Sequence, residues 1–127
     1  MKESDFLQTT KYGALDSYNW RICSQIINGT KKINIEWLKA FFDDEGTVDP
    51  SRKRVRIKSV NKIGLSQAQK MLTKIRINSN ITGPNCDNTW YLTINKNNIE
   101  KYDKLIGFRH KGRNKKLKKV LKLTAKF

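Results

Sequence analysis

A predicted amphipathic helix that ends in three consecutive acids and a glycine, over residues 38–46, is the feature that most constrains this chain. The acids are Asp43, Asp44 and Glu45. A helix C-terminus already carries about half a negative charge, and each acid added there costs roughly 0.3–1 kcal/mol. Acids are scarce in this chain, with 11 against 27 basic residues, yet three stand where they repel one another and the helix dipole. We therefore expect a bound divalent cation to balance this helix end.

The charge of the chain is segregated along the sequence. Residues 1–46 hold six basic and seven acidic residues, residues 47–95 hold nine and two, and residues 96–127 hold twelve and two. Solubilising charge would not be divided in this way, whereas a nucleic-acid groove with an acidic catalytic point would be. A basic ribosome-associated protein would explain the net charge of +16 but would have no use for the acid cluster.

Length and composition predict one domain with its own core, since the chain has 127 residues of which 37% are hydrophobic. No apolar run approaches the length of a transmembrane segment or a signal peptide, so no membrane association is expected. Cys23 and Cys86 lack metal-site spacing and are interpreted as reduced thiols of an intracellular, cytoplasmic protein. The lone His110 cannot build a histidine metal site.

The acidic helix is predicted to span residues 35–44. Asn34 is the expected N-cap, and Gly46 is expected to end the helix in the left-handed conformation. At 100° per residue, the apolar side chains of this helix share one broad arc, which predicts that one face packs against a sheet.

Two hairpins are predicted to form that sheet. Residues 47–49 meet a turn at Pro50, and residues 53–60 then alternate strictly between apolar and basic side chains, which predicts a hairpin with a basic face. Residues 79–82 and 89–95 flank a turn-rich segment and predict the second hairpin.

Three further helices complete the predicted element order. A capping box from Ser66 to Gln69 indicates one helix, although its start could be as early as Asn61. Asn97 or Asn98 is expected to cap a helix over residues 99–106, which ends at a glycine. A last basic helix carries an apolar stripe of Leu117, Val120 and Leu121.

Residues 1–33 are predicted to form an N-terminal extension to a domain over residues 34–127. The alternation Tyr18, Trp20, Ile22, Ser24, Ile26 predicts a strand there. Either an added edge strand or the relic of an upstream repeat would account for it.

With this element order in place, residues 38–46 resemble the signature of the LAGLIDADG homing endonucleases, in the compact single-motif, archaeal-type branch of that family. Sequence similar to that of the family also occurs at the segments 55–59, 61–62, 74–77, 90–94 and 106–108, so the resemblance covers residues 34–121. It implies an α+β fold with an αββαββα core. In that fold an antiparallel sheet lies across duplex DNA and binds it, and the signature helix lies at the dimer interface.

The resemblance also implies roles at the catalytic centre. Glu45 corresponds to the acid that each signature helix delivers to a metal, and Asp43 to a structural carboxylate or one that supports the metal ligands. For both acids the alternative is an ordinary solvated helix end. Lys111 matches a lysine near the attacking water, with simple phosphate binding as the alternative. Asn61 matches a polar position that organises water, with a helix cap as the alternative. Hard oxygen ligands without His or Cys suit Mg²⁺ or Mn²⁺.

One signature per chain implies a symmetric homodimer. The residues expected at its interface are Trp37, Ala40, Phe41 and Asp44. Ala40 occupies a small position that allows close helix approach. Asp44 departs from the family pattern, because that position is usually small as well.

The residues expected to contact DNA are basic or polar groups of the sheet and the last helix: Arg52, Lys53, Arg54, Arg56, Lys58, Tyr91, Thr93, Lys115, Lys118 and Lys119. The cations of the alternating strand are expected to read base edges in the major groove. Those near the hairpin tip and on the last helix are expected to contact phosphates, with a merely solvated charge as the alternative.

The sequence therefore predicts a site-specific homing endonuclease that makes a Mg²⁺-dependent double-strand cut in a long pseudo-palindromic DNA target, as expected of a mobile element that is either intron-encoded or free-standing. The alternative is a non-cleaving protein on the same fold. It would be an intron maturase, whose partner is intron RNA, or a DNA- or RNA-binding protein.

Overall fold

The computed structural model describes residues 20–124, and side chains for residues 20–122. Its elements are α1 Ser24–Ile27, α2 Lys31–Glu45, β1 Gly46–Asp49, β2 Arg54–Ser59, α3 Lys62–Lys74, β3 Asn80–Thr82, β4 Trp90–Ile94, α4 Lys96–Leu105 and α5 Lys111–Thr124. The strands form one antiparallel sheet in the order β1-β2-β4-β3. The predicted α+β class and αββαββα order are confirmed. Between residues 20 and 124, no helix is both long and apolar enough to cross a bilayer.

The signature helix α2 begins earlier than its sequence predicted. Thr30 is the N-cap, and its side chain accepts a hydrogen bond from the Ile33 amide at 3.3 Å. The predicted cap, Asn34, is instead fully buried within the helix, where its Nδ2 donates to the Ile26 carbonyl at 2.6 Å. Asn34 therefore attaches α1 to α2, and the prediction that it caps α2 is wrong.

Gly46 does not adopt the predicted left-handed conformation. Its φ of −76° and ψ of 150° are extended, and the chain passes from α2 into β1 without a linker. Glycine is needed here for close approach. An added Cβ would lie 2.5 Å from the Phe42 carbonyl oxygen and 3.0 Å from Cε1 of Phe108.

The core lies between the inner face of the sheet and the helices. The alternation of β2 is confirmed, because Val55 and Ile57 are buried while the basic residues that alternate with them face outward. The helical side of the core contains a chain of aromatic rings. Phe42 contacts Tyr102 at a centroid distance of 5.1 Å, and Tyr102 contacts Phe108 at 5.6 Å. These contacts join α2 to α4 and to the loop before α5.

Helix α3 starts at its early alternative. The Asn61 side chain caps it by accepting a hydrogen bond from the Gly64 amide at 3.0 Å. The predicted capping box does not form, because both of its side chains have other partners. Ser66 donates to the Lys62 carbonyl at 2.9 Å, and Gln69 donates to the Ser79 carbonyl at 2.9 Å.

Helix α4 begins at Lys96, so neither Asn97 nor Asn98 caps it. The side-chain oxygen of Asn98 accepts a hydrogen bond from the Asn78 amide at 3.3 Å, which is a tertiary contact. The predicted end of this helix is confirmed. Gly107 has a φ of +65°, and its amide donates to the Tyr102 carbonyl at 3.0 Å.

The strand predicted near the N-terminus is wrong for its described part, residues 20–26, while Tyr18 lies outside the described residues. Residues 20–23 are irregular and lead into α1. Their backbone groups bind side chains of the α3 region: the Trp20 carbonyl accepts from Asn61 Nδ2 at 2.5 Å, and the Ile22 amide donates to Gln67 at 2.7 Å. Trp20 and Ile22 belong to the core. The boundary predicted between residues 33 and 34 falls inside α2.

Candidate functional site

The acidic end of α2 consists of its last three residues. Asp43 and Glu45 are half-buried, and Asp44 is exposed. No basic residue lies in the last turn of this helix. The negative end of the dipole and three carboxylates therefore meet at the start of β1.

Asp43 has a specific structural partner far along the chain. Its Oδ1 accepts hydrogen bonds from the backbone amides of Arg109 at 2.8 Å and His110 at 3.1 Å. Its carbonyl oxygen accepts from the guanidinium of Arg113. The carboxylate thus binds two amides just before α5, and a negative charge is favourable near a helix N-terminus. These contacts fit a structural role for Asp43 rather than a solvated helix end.

Lys111 is brought to the same end of α2 by these contacts of Asp43. It is the first residue of α5, it is exposed, and it directly follows the two residues whose amides bind Asp43. Glu45 lies two residues beyond Asp43. The candidate metal ligand and the candidate lysine therefore belong to two chain segments that one carboxylate ties together.

Asn61 is placed differently from Lys111. It is 3% exposed, its Oδ1 also accepts from Arg21 at 3.1 Å, and its Nδ2 donates to the Trp20 carbonyl. Together with the Gly64 amide, these partners engage both ends of its amide group. The geometry is that of the helix-cap alternative, and organisation of a catalytic water stays a prediction.

The donors at the end of α2 fit a hard divalent cation in kind. Mg²⁺ prefers carboxylate oxygen, retains several waters and is held by as few as one or two carboxylates. Asp44 and Glu45 supply such oxygens, while Asp43 is committed to α5. Within residues 20–122, however, no three acidic, His or Cys side chains cluster to hold a metal. One chain thus contributes carboxylate oxygens of the kind that Mg²⁺ prefers.

Three of the four residues expected at the dimer interface are buried in the single chain. Trp37 and Phe41 are fully buried, and Ala40 is 3% exposed. The rings of Trp37 and Phe41 stack at 4.8 Å, and Trp20 meets Phe41 edge-on at 5.6 Å. Asp44 is exposed. The homodimer stays a prediction.

The outer face of the sheet carries polar rows that run across the strands. One row pairs Thr47 with Arg56, Arg56 with Thr93, and Thr93 with Asn80. In the adjacent row, Lys58 pairs with Tyr91. The register therefore brings the predicted base-reading cations of β2 together with the predicted contacts of β4.

Arg56 lies at the centre of this face. Its guanidinium carbon is 3.4 Å from the centroid of the Tyr91 ring, which is a close cation–π contact. Burial, and then the nearby charge of Arg54, lower the pKa of Arg56 below its ordinary value. Its Nε is buried and has no hydrogen-bond partner among the described residues. The side chain is thus oriented by stacking rather than by a carboxylate.

The two cations that flank Arg56 are paired with acids. Nε of Arg54 lies 3.1 Å from Oδ2 of Asp49, and Nζ of Lys58 lies 2.9 Å from Oδ2 of Asp87. A hydrogen bond from Thr89, followed by the contact with Lys58, lowers the pKa of Asp87 to about 2. Sequence reasoning did not single out these acids. The available signal was that they are the only two acids between residues 47 and 95, both in or beside a turn.

Near the hairpin tip, Arg52 is exposed and its amide donates to Asp49 at 3.4 Å, while Lys53 has a φ of +54°. On α5, Lys115 and Lys119 are exposed, as is Lys118. Lys118 forms a salt bridge with Asp103 of α4 at 2.8 Å. Its charge is therefore less available to a phosphate than those of the neighbouring lysines.

Comparison with known proteins gives one family and one group of similar structures. The model of the LAGLIDADG-like domain matches residues 32–107, from the first turn of α2 to the glycine that ends α4. No curated protein matches the chain. The solved structures include I-DmoI in complex with DNA and Mn, with a TM-score of 0.56 and 23% identity over 65% of this chain and 46% of that chain.

Two further structures are similar to the same extent. A variant of I-DmoI in complex with its target DNA in the presence of Mg has a TM-score of 0.55, 23% identity, and coverage of 65% of this chain and 46% of that chain. Mesophilic variants of the homing endonuclease I-DmoI have a TM-score of 0.56 at 23% identity, with coverage of 65% and 45%. At this identity the likeness shows the fold. The chain spans about half the length of these proteins.

Proposed function

The chain belongs to the LAGLIDADG-like domain family, and on that premise we propose that it is a site-specific, metal-dependent homing endonuclease that cuts double-stranded DNA. The observation that carries the proposal is the direct connection of the acid-ended helix α2 to the basic outer face of the sheet. The carboxylate-bearing end of α2 and the basic, polyanion-binding face of the sheet therefore belong to one structural unit. A ribosome-associated basic protein would need only the basic face.

DNA binding is supported by the shape and charge of the outer sheet face. A two-stranded ribbon fits the major groove, and Arg is suited to the O6 and N7 edge of guanine. The stacked guanidinium of Arg56 is the best-oriented donor for such a contact. The exposed lysines Lys115 and Lys119 of α5 supply phosphate contacts that position the duplex without reading it.

Cleavage is assigned to the end of α2. Mg²⁺ or Mn²⁺, when bound, supplies activation of the attacking water and charge stabilisation at the leaving oxygen. Glu45 provides a carboxylate ligand at the end of a rigid helix. Lys111 offers an ammonium group that offsets the charge developing on the scissile phosphate. Asp43 holds the first turn of α5, so that Lys111 keeps its place relative to Glu45.

A homodimer on a pseudo-palindromic target completes the proposal. One chain brings a single acid-ended helix and half of a ligand set, and a two-fold interface would place an equivalent helix opposite it. Asp44, the exposed member of the predicted interface, would then approach its own copy. This arrangement fits only if the shared cation neutralises the pair.

The test is incubation of the purified protein and Mg²⁺ with a randomised palindromic DNA library, followed by sequencing of cut ends. Double-strand cuts at one consensus are expected. The Glu45→Gln variant is the matched control, because it removes the ligand's charge and keeps its shape. It should bind the recovered site and leave it uncut.

Three results would contradict the proposal in whole or in part. Equal cutting by Glu45→Gln and the parent would remove Glu45 from the mechanism. Specific binding without cutting in either Mg²⁺ or Mn²⁺ would identify a non-cleaving binder, and tighter binding of intron RNA than of duplex DNA would identify a maturase.

A further inference from the structure

The two acids that pair with cations of β2, Asp49 and Asp87, share one geometry. In each carboxylate, Oδ1 holds the local turn and Oδ2 holds a cation of β2. Oδ1 of Asp49 accepts from the Ser51 hydroxyl at 2.8 Å, whereas its Oδ2 binds Arg54. Oδ1 of Asp87 accepts from the amide and hydroxyl of Thr89 at 3.2 and 2.5 Å, whereas its Oδ2 binds Lys58.

This division leaves the three β2 cations unequal. Arg54 and Lys58 each have a carboxylate partner, and no described carboxylate lies within salt-bridge distance of Arg56. A cation that is already paired releases fewer counterions when it meets a phosphate, so it adds less to sequence-independent affinity. The carboxylate beside such a paired cation also repels the phosphates of the DNA backbone. The charge of Arg56 is not offset by such a partner, and its guanidinium is oriented over the Tyr91 ring.

We propose that Asp49 and Asp87 determine DNA selectivity by restraining Arg54 and Lys58 from general phosphate binding. The inference rests on the proposed DNA-binding function. Non-target duplexes gain little from the restrained cations, whereas a target that aligns with Arg56 gains its contact in full. Exposed ion pairs change an equilibrium constant only a few fold, so each acid tunes affinity rather than blocking binding.

The experiment uses Asp87→Asn and Asp49→Asn in the full chain. Asparagine retains a side-chain oxygen for the turn and replaces the oxygen that faces the cation. The control is Glu100→Gln, which makes the same change in net charge at an exposed ion pair with Lys104 on α4. Fluorescence anisotropy without divalent metal measures binding of a selected target and of a random-sequence duplex over a salt series. Thermal unfolding by circular dichroism verifies each fold.

Each Asn variant is expected to tighten random-sequence binding about threefold at low salt and to steepen the log–log salt slope by about 0.9, the effect of one released cation. Target binding should tighten less, so selectivity falls. Lys58→Met should reverse the gain in the Asp87→Asn background and have little effect in the parent. Glu100→Gln should match the parent.

The inference is overturned if both Asn variants match Glu100→Gln, or if Lys58→Met weakens random-sequence binding equally in both backgrounds. Either result would leave the proposed function standing, because the parent would still prefer its target. A parent that binds no duplex DNA at low salt would overturn both the function and the inference.

Discussion

Replacing Asp43 with alanine should loosen the start of α5 and destabilise the domain. The carboxylate accepts hydrogen bonds from the backbone amides of Arg109 and His110, the two residues that precede α5, whereas within α5 the Arg113 amide donates to Nδ1 of His110. Loss of the two exposed bonds to Asp43 costs about 0.5–2 kcal/mol in total, toward the low end of the usual contribution per bond. Loss of a negative charge at a helix N-terminus adds about 0.3–1 kcal/mol. The bond from Arg113 survives because it goes to the backbone carbonyl, so the total is about 1–3 kcal/mol.

Thermal unfolding of Asp43→Ala by circular dichroism should show a fall in Tm of about 4–12 °C, at about 4 °C per kcal/mol for a domain of this size. The control, Asp43→Asn, keeps an acceptor oxygen and loses only charge, so it should fall by about 1–4 °C. Hydrogen exchange at the amides of Arg109 and His110 should accelerate more than at α3 amides in the alanine variant. Equal Tm values for the two variants, or unchanged exchange at these amides, would refute the stabilising role of these hydrogen bonds.

Three further outcomes are expected. The carboxyl of Asp87 should titrate at about 2 rather than 3.8, so its contribution to stability is complete above pH 3.8 and is lost as pH falls toward 2. The Thr89→Val variant should move the midpoint of the Asp87 titration, followed by NMR, to higher pH. A midpoint near 3.8 in the parent protein would exclude the shift. Gly46→Ala should cost about 1–3 kcal/mol by overpacking against the carbonyl oxygen four residues earlier, which a denaturation curve identical to the parent's would contradict. Arg56→Ala should relax base preference at particular positions, at a cost of about 1–3 kcal/mol in binding free energy. Lys119→Ala should instead weaken binding to all duplexes alike. Identical site-selection profiles for the parent and Arg56→Ala would reject base reading by Arg56.

Local patterns in the sequence were sufficient for the order of elements from α2 onward and for the faces of the strands. The alternation around Val55 and Ile57 determines which side of β2 is buried, whatever lies elsewhere in the chain. The start of α2 was misplaced because Thr30 and Asn34 are both good caps. The choice between them depends on Ile26, whose carbonyl engages the Asn34 side chain. That contact is tertiary, so a capping rule cannot detect it.

The site was harder to predict because its contacts are distant in sequence. The hydrogen bond that joins Asp43 to Arg109 spans 66 residues, and the pair Lys58–Asp87 depends on the register of β2 against β4. The strand-like alternation near Trp20 failed for a related reason. Its carbonyl accepts from Asn61 and its ring packs on Phe41, and both partners become available only when the fold forms.

The absence of any linker between Glu45 and Gly46 fixes a distance in the proposed nuclease. Thr47, the β1 residue paired with Arg56, lies two residues beyond Glu45, which is roughly 7 Å of extended chain. No flexible loop separates Glu45, the proposed metal ligand, from Thr47, the first residue of the row that would face the bases. Evolution or engineering can therefore replace the reading residues and change the chosen sequence, while the offset between that sequence and the cut stays the same.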